Sequence, residues 1–191
     1  MKLGLKQIIL LFVIAFSSFA FKAELLQIKG WSMGGSDKSL YEIGVVNDNE
    51  RKGKVAYIKS IKPKIKDKFG TIMQAFSADN YLGKKMRLTG YIKTKDVNGW
   101  VGMWMRVDGQ KKHSLSFDNM GDRKIKGTTG WTKYEIVLDV PKSSTRINYG
   151  VLLSQTGEAW LDDLQFEEVS KETTSTGKNL SMKPSNTSFE E

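Results

Sequence analysis

Trp104, Arg106 and Asp108 fall at i, i+2 and i+4 within the stretch from Trp100 to Asp108. That spacing places an indole, a guanidinium and a carboxylate on one side of a β-strand. An exposed indole stacks on the apolar face of a sugar ring, and Arg and Asp beside it can hydrogen-bond the hydroxyls. The opposite row, Val101, Met103, Met105 and Val107, is wholly apolar and fits a core. Gln74 and Tyr91 could join the polar surface from neighbouring strands. Further on, Asp118, Asn119, Asp122 and Arg123 make a dense polar loop that could rim the same groove. Plainer alternatives stand beside this reading. Arg106 and Asp108 could form a surface salt bridge with Trp104 packed under a loop, and Asp118 and Asn119 could simply stabilise a turn.

Catalytic chemistry has little to work with. His113 is the only histidine, there is no cysteine, and no G-x-S-x-G elbow occurs. A Ser-His-Asp triad would have to be built on His113, and a zinc site would need unusual carboxylate crowding. Thiol chemistry and disulfides are excluded outright. A glycosidase needs two carboxylates facing across a cleft, and Asp108 with Asp118 is the pair that could serve. Binding without catalysis, and without a cofactor, is the expectation.

The elements that must position these residues read as strands throughout. β signals recur every ten to fifteen residues: Leu25–Lys29, Tyr41–Val46, Lys54–Ser60, Gly70–Ser77, Lys85–Thr94, Trp100–Val107, Ser114–Asp118, Thr132–Val140, Arg146–Leu153 and Glu158–Val169. Clusters of Gly, Asn, Asp and Ser separate them, such as Gly34-Gly35-Ser36-Asp37 and Asp96–Gly99. Met86, Leu88, Gly90 and Ile92 alternate with Arg87, Thr89, Tyr91 and Lys93, as in an antiparallel sheet with one wet face. No segment has a long helical period. The chain is expected to be all-β, an antiparallel sandwich of two sheets.

Residues 1–20 read as a signal peptide: Lys2 and Lys6, an apolar run from Ile8 to Phe16, then Ser18-Phe19-Ala20. The run is shorter than the ~20 residues of a spanning helix, so cleavage, export to a periplasm or beyond, and no remaining transmembrane helix are expected. The folded domain is expected over 21–169. From Ser170 the chain turns to Lys, Thr, Ser, Asn and Gly with few large apolar residues, so 170–191 is expected to be a disordered tail.

The net charge is +9, and eight of the basic residues lie between Arg51 and Lys68 against the single acid Asp67. Such a patch could hold an anionic partner of the cell envelope; it could equally be a solvated loop and edge strand. No aromatic residue interleaves Lys62–Lys68, so nucleic acid is not expected.

A resemblance adds to this reading. Trp131-Thr132-Lys133-Tyr134, Val137–Pro141, Ile147–Leu153 and the strand Trp160-Leu161-Asp162-Asp163-Leu164 resemble carbohydrate-binding-module jelly rolls of the galactose-binding-like kind. The segments Phe69–Gln74, Trp104–Gly109 and Phe117–Met120 resemble a narrower bacterial set labelled transcription-regulator-associated. The resemblance implies a two-sheet jelly roll with a glycan or similar polar ligand on one sheet face. It also implies a structural Ca²⁺ near Asp163, with Asp162, Glu42 and Asp37 as further oxygen donors. A helix-turn-helix is not expected, because its two helices have no counterpart in the sequence pattern. The binding residues expected are Gln74, Tyr91, Trp104, Arg106, Asp108, Asp118, Asn119 and Arg123. A structural or partner-binding envelope protein is the alternative, and a carbohydrate-active enzyme the third.

Overall fold

A computed structural model describes residues 28–177. The strands are β1 (Ser32–Gly35), β2 (Tyr41–Asn47), β3 (Lys54–Ser60), β4 (Phe69–Ser77), β5 (Lys84–Asp108), β6 (Ser114–Asp118), β7 (Ile125–Val140), β8 (Arg146–Ser154) and β9 (Glu158–Val169). Three 3-10 turns complete the described secondary structure, and no helix there is long and apolar enough to cross a membrane. The proposed signal peptide lies outside the described residues.

One strand organises the molecule. The segments read as Lys85–Thr94 and Trp100–Val107 are a single 25-residue strand, β5, bent near its middle. Its first half pairs with β7 and β9, its second half with β6 and β8. Two layers follow, β6-β5-β8-β4-β1 and β7-β5-β9-β3-β2, all antiparallel. We call them the first and second sheet. At the bend the register shifts between Ile92 and Val101, and Asp96 takes a left-handed φ of 52°. Asp tolerates that region better than most residues. Gly157 packs against the corner with φ 132°; a Cβ there would stand 2.7 Å from the Val97 Cα. Only glycine fits such an approach.

Between the sheets lies the apolar row of each. Val101, Met103, Met105 and Val107 face Met86, Leu88 and Ile92 from the other half of the same strand, with Ile72, Ile136, Leu138, Ile147, Val151 and Leu153 around them. All are essentially buried, and burial of such side chains stabilises by about 1.5–3 kcal/mol each. Edge-to-face rings close one end: Trp31 on Tyr149, and Phe76 among Tyr81, Tyr149 and Phe166, with centroids 5.0–5.9 Å apart.

Two local features depart from the sequence pattern. β1 includes Gly34 and Gly35, read as a turn, and pairs with β4 along Ser32–Gly35. Residues 170–177, at the start of the stretch read as a disordered tail, bond to β7. Thr176 N–H donates to the Val137 carbonyl, and Val137 N–H donates to Thr176 Oγ1. The segment thus satisfies part of an otherwise open sheet edge. Residues 178–191 lie outside the described region.

Candidate functional site

The outer face of the first sheet carries an open groove of about 440 Å³. Its position follows from register. Trp104 stands opposite Gly150 on β8, and Thr71 and Met73 follow on β4. The Trp104 indole reaches across β8 and donates its Nε1–H to Thr71 Oγ1 at 2.8 Å, while the missing side chain at Gly150 admits the β4 backbone, since a Cβ there would stand 2.1 Å from the Ile72 carbonyl oxygen. Trp104 is therefore 8% exposed. It forms the floor, with Leu152 beside it.

Aromatic rings wall this floor. Phe117 projects from β6 on one side and Phe69 from β4 on the other, 42% and 40% exposed respectively. Trp100 lines the groove from the start of the second half of β5, and Lys124 Nζ stands 5.2 Å from the indole centroid. A large exposed apolar side chain on a sheet surface is informative when others converge on the same hollow.

Arg106 is the one charged residue of the lining. Its Nε and Nη2 donate to Asp108 Oδ1 and Oδ2 at 2.8 and 2.9 Å, a bidentate pair. Asn148 Nδ2 donates to the same carboxylate at 2.8 Å. The Asp108 side chain is 4% exposed and that of Arg106 41%. The carboxylate thus sits beneath the sheet surface and aims the guanidinium outward. Asn119 and Ser154 add polar groups at the rim. Asn119 Oδ1 accepts from Gly121 N–H at 3.0 Å.

Of the residues anticipated from sequence, Trp104, Arg106 and Asn119 line the groove and Asp108 supports it from below. The others lie elsewhere. Gln74 is on the inward side of β4, where Tyr149 donates its hydroxyl proton to Gln74 Oε1 within the aromatic end of the core. Its neighbours Thr71 and Met73 face the groove, and Gln74 is one residue out of phase with them. Tyr91 belongs to the second sheet, because the bend in β5 separates it from Trp104 by a whole layer. Asp118 is 6% exposed; it receives Arg123 Nη2 at 2.6 Å and Met120 N–H at 2.8 Å. Asp118 and Arg123 close the loop after β6 instead of presenting polar groups to the groove. Trp100 shares the strand row of Trp104 and Arg106, whereas Phe69 and Phe117 come from other strands. Their types gave a signal, but their exposure depends on which strands become neighbours.

Asp108 and Asp118, the pair considered for glycoside hydrolysis, are each buried and held by an arginine. His113 is exposed at the end of a 3-10 turn. Asp163, the anticipated metal position, takes φ 52° where β9 gains a residue against β5. That bulge turns Leu164 toward Gly90 and Met103. The Asp163 carboxylate lies 3.6 Å from Arg51 Nη2, and Asp162 receives Arg51 Nε at 2.8 Å. Among the described residues no group of three or more His, Cys, Asp or Glu is placed to hold a metal ion.

The basic stretch is partly consumed by the fold. Arg51 lies on the Tyr91 ring at 4.2 Å, and Lys59 pairs with Glu42 at 3.0 Å. Arg51 belongs to a cluster on the outer face of the second sheet. There Lys93 Nζ donates to Asp48 at 2.7 Å and Glu50 at 2.8 Å, between the rings of Trp131 and Trp160. Burial penalises the Lys93 charge, but the two carboxylates outweigh it and raise its pKa. The bond from Lys93 in turn lowers the pKa of Asp48. This network pins the loop between β2 and β3 against the sheet.

No family model matches the chain. Over 172 residues it is 45% identical to an uncharacterized HTH-type transcriptional regulator, YbfP, of Bacillus subtilis. That match takes in 86% of this chain and 58% of the regulator, so the chain spans less than two thirds of the relative. No α-helix occurs among the described residues to correspond to the helices in that name. Among solved structures, the CBM22-1 xylan-binding domain of Paenibacillus barcinonensis Xyn10C superposes with a TM-score of 0.52 at 12% identity. The match covers 75% of this chain and 88% of that domain. The C-terminal family 22 carbohydrate-binding module of Clostridium thermocellum Xyn10B gives 0.51 at 10% identity, covering 74% and 86%. The enzymatically active domain of bacteriophage CBA120 tailspike protein 4 gives 0.59 at 14% identity, over 74% of this chain and 20% of that one. The chain therefore has the antiparallel β-sandwich fold found in carbohydrate-binding modules.

Proposed function

We propose that this protein is a non-catalytic glycan-binding module whose site is the groove on the first sheet. One observation carries the reading: an open hollow floored by Trp104, walled by Trp100, Phe69 and Phe117, with a single fixed guanidinium aimed into it. Aromatic surface beside a few oriented polar groups suits sugars, which have apolar ring faces edged by hydroxyls. The likeness in fold to carbohydrate-binding modules supports the same reading, although fold by itself does not set function. Export, read from residues 1–20, would bring the module to extracellular polysaccharide.

The test is calorimetric titration with soluble oligosaccharides on wild type, Phe117→Ala and Arg106→Ala. Binding by wild type with loss in both variants is expected. Unchanged binding in both removes the groove from the mechanism. The identity to an HTH-type regulator favours a second use of the same groove, as the sensing part of a longer DNA-binding protein. DNA binding by that relative, with and without an oligosaccharide that it binds, tests this; no change rejects it.

A further inference from the structure

The loop between β3 and β4, Ile61 to Lys68, carries charge that neither the fold nor the groove uses. We infer that this loop docks the protein on an anionic lipid bilayer, whatever ligand the groove holds.

Its anchoring leaves the charge outside. At one end Ile61 N–H donates to the Leu40 carbonyl at 3.0 Å. At the other the Lys68 carbonyl accepts from Gln155 N–H at 2.9 Å and from the Tyr41 hydroxyl at 3.0 Å. Between these ties Ile65 is 8% exposed and joins the apolar core. Every other residue of the loop is exposed, Lys62, Lys64, Lys66 and Lys68 included. Four lysines against the single acid Asp67 leave the loop at +3. No salt bridge among the described residues involves these four lysines, although Lys68 lies within electrostatic reach of Asp37. The adjoining cleft of about 520 Å³ is different, because Lys59, Lys62 and Lys95 there stand against Glu42, Asp96 and Glu158. The signs balance in that cleft, so the excess belongs to Lys64, Lys66 and Lys68.

The residue types select a bilayer. Lysine is a compact point charge on a flexible stem, without the planar fork with which arginine grips individual phosphates. Several on one loop suit a surface of diffuse negative charge, where each acts through nearness and not through fixed geometry. The apolar residues separate a bilayer from a soluble polyanion. Ile61 is 46% exposed, the highest value among the large apolar side chains described, and Pro63 is exposed beside it. A polyanion in water offers them nothing. At a headgroup boundary Ile61 leaves water, while the flanking lysine stems place their ammonium groups among the phosphates. One apolar anchor joined to a basic cluster gives reversible attachment where either alone does not.

The groove lies to one side of this surface. Phe69 follows Lys68 and is level with Ser154 and Trp100, whereas Phe117 is level with Arg106. Six residues of strand, about 20 Å, separate the two levels. A bilayer under the loop would meet the Phe69 end and leave the Arg106 end away from it.

The experiment is co-sedimentation of the full chain with vesicles of phosphatidylcholine alone, and of phosphatidylcholine with about one third phosphatidylglycerol, at low and high salt. Wild type is expected on the anionic vesicles at low salt, released at high salt, and absent from the neutral ones. Lys62→Gln, Lys64→Gln and Lys66→Gln together should weaken attachment about a hundredfold, at about fivefold per lysine. The same charge change elsewhere, Lys126→Gln with Lys133→Gln and Lys142→Gln, should weaken it far less. Ile61→Ser should weaken it severalfold and leave the salt dependence unchanged. All these side chains are exposed, so every variant should keep the wild-type thermal transition. Equal losses from the two triple variants overturn the loop as the site and leave only net charge. Binding to neutral vesicles that survives the loop variant assigns attachment to residues outside the loop and overturns it as well. Binding of inorganic polyphosphate without binding of anionic vesicles makes the partner a soluble polyanion, not a bilayer. Binding of neither overturns the docking surface outright.

Discussion

The two outer faces of this sandwich use the same residue types to opposite ends. Each presents tryptophan, a basic residue and aspartate in strand register. On the second sheet the loop between β2 and β3 folds back, and its Asp48, Glu50 and Arg51 meet Lys93, Tyr91, Trp131 and Asp162. Beside them runs a cleft of about 540 Å³, larger than the groove of the first sheet. Yet Lys93 in that cleft is paired with the two carboxylates beside it. On the first sheet the loop after β6 packs at Gly102, and among the described residues the rings of Phe69 and Phe117 stay exposed. Volume does not separate a filled face from an open one. What separates them is that Phe69 and Phe117 stay exposed on the first sheet, while the charges of the second are paired across the folded-back loop.

Substitutions can break this contrast from either side. Trp104→Ala should have the largest effect, because the indole is both buried floor and hydrogen-bond donor. A loss of about 3–5 kcal/mol is expected in urea unfolding, with binding abolished. Phe117→Ala should instead leave the unfolding midpoint nearly unchanged while weakening binding, since the ring is exposed; equal losses in both measurements would show it to be structural. Lys93→Met should do the reverse, lowering the melting temperature by a few degrees and leaving groove affinity intact. Proteolysis of the β2–β3 loop would rise with it.

pH should sharpen the same distinction with a smaller effect. The bond from Lys93, with those from Glu50 N–H and Trp131, lowers the pKa of Asp48 below its ordinary 3.8. The native state therefore holds the proton less tightly than the unfolded chain. The stabilisation is complete above that ordinary value and is lost as pH falls through the lower native one. Fluorescence of the tryptophans around Lys93 should change in that acid range before global unfolding. Lys93→Met should abolish that early change. If it persists, another group is responsible.

Much of the architecture was legible beforehand because period-two alternation reports which side of a strand is dry. The β2, β3, β6, β8 and β9 segments were placed to within a residue or so, and the buried row from Val101 to Val107 was read from alternation alone. The two strands that turned out to be one illustrate the limit. Asp96–Gly99 has turn chemistry, and local residue type cannot tell a chain reversal from a corner that continues into another sheet. That single difference moved Tyr91 to the far side of the molecule from Trp104. Gln74 failed for a related reason, since Phe69–Ser77 does not alternate cleanly enough to fix its phase.

By itself, then, the order of residues determined that the chain makes antiparallel sheets, which rows are apolar, and that Trp104, Arg106 and Asp108 share a face. These are local consequences of side-chain direction along a strand. Only the tertiary structure decided that the aspartate lies beneath the surface while the arginine reaches outward. It also decided that Phe69 and Phe117 flank a common hollow, and that a loop fills the opposite face. Those outcomes depend on which strands become neighbours, and contacts between residues far apart in the chain leave no periodic trace in either partner.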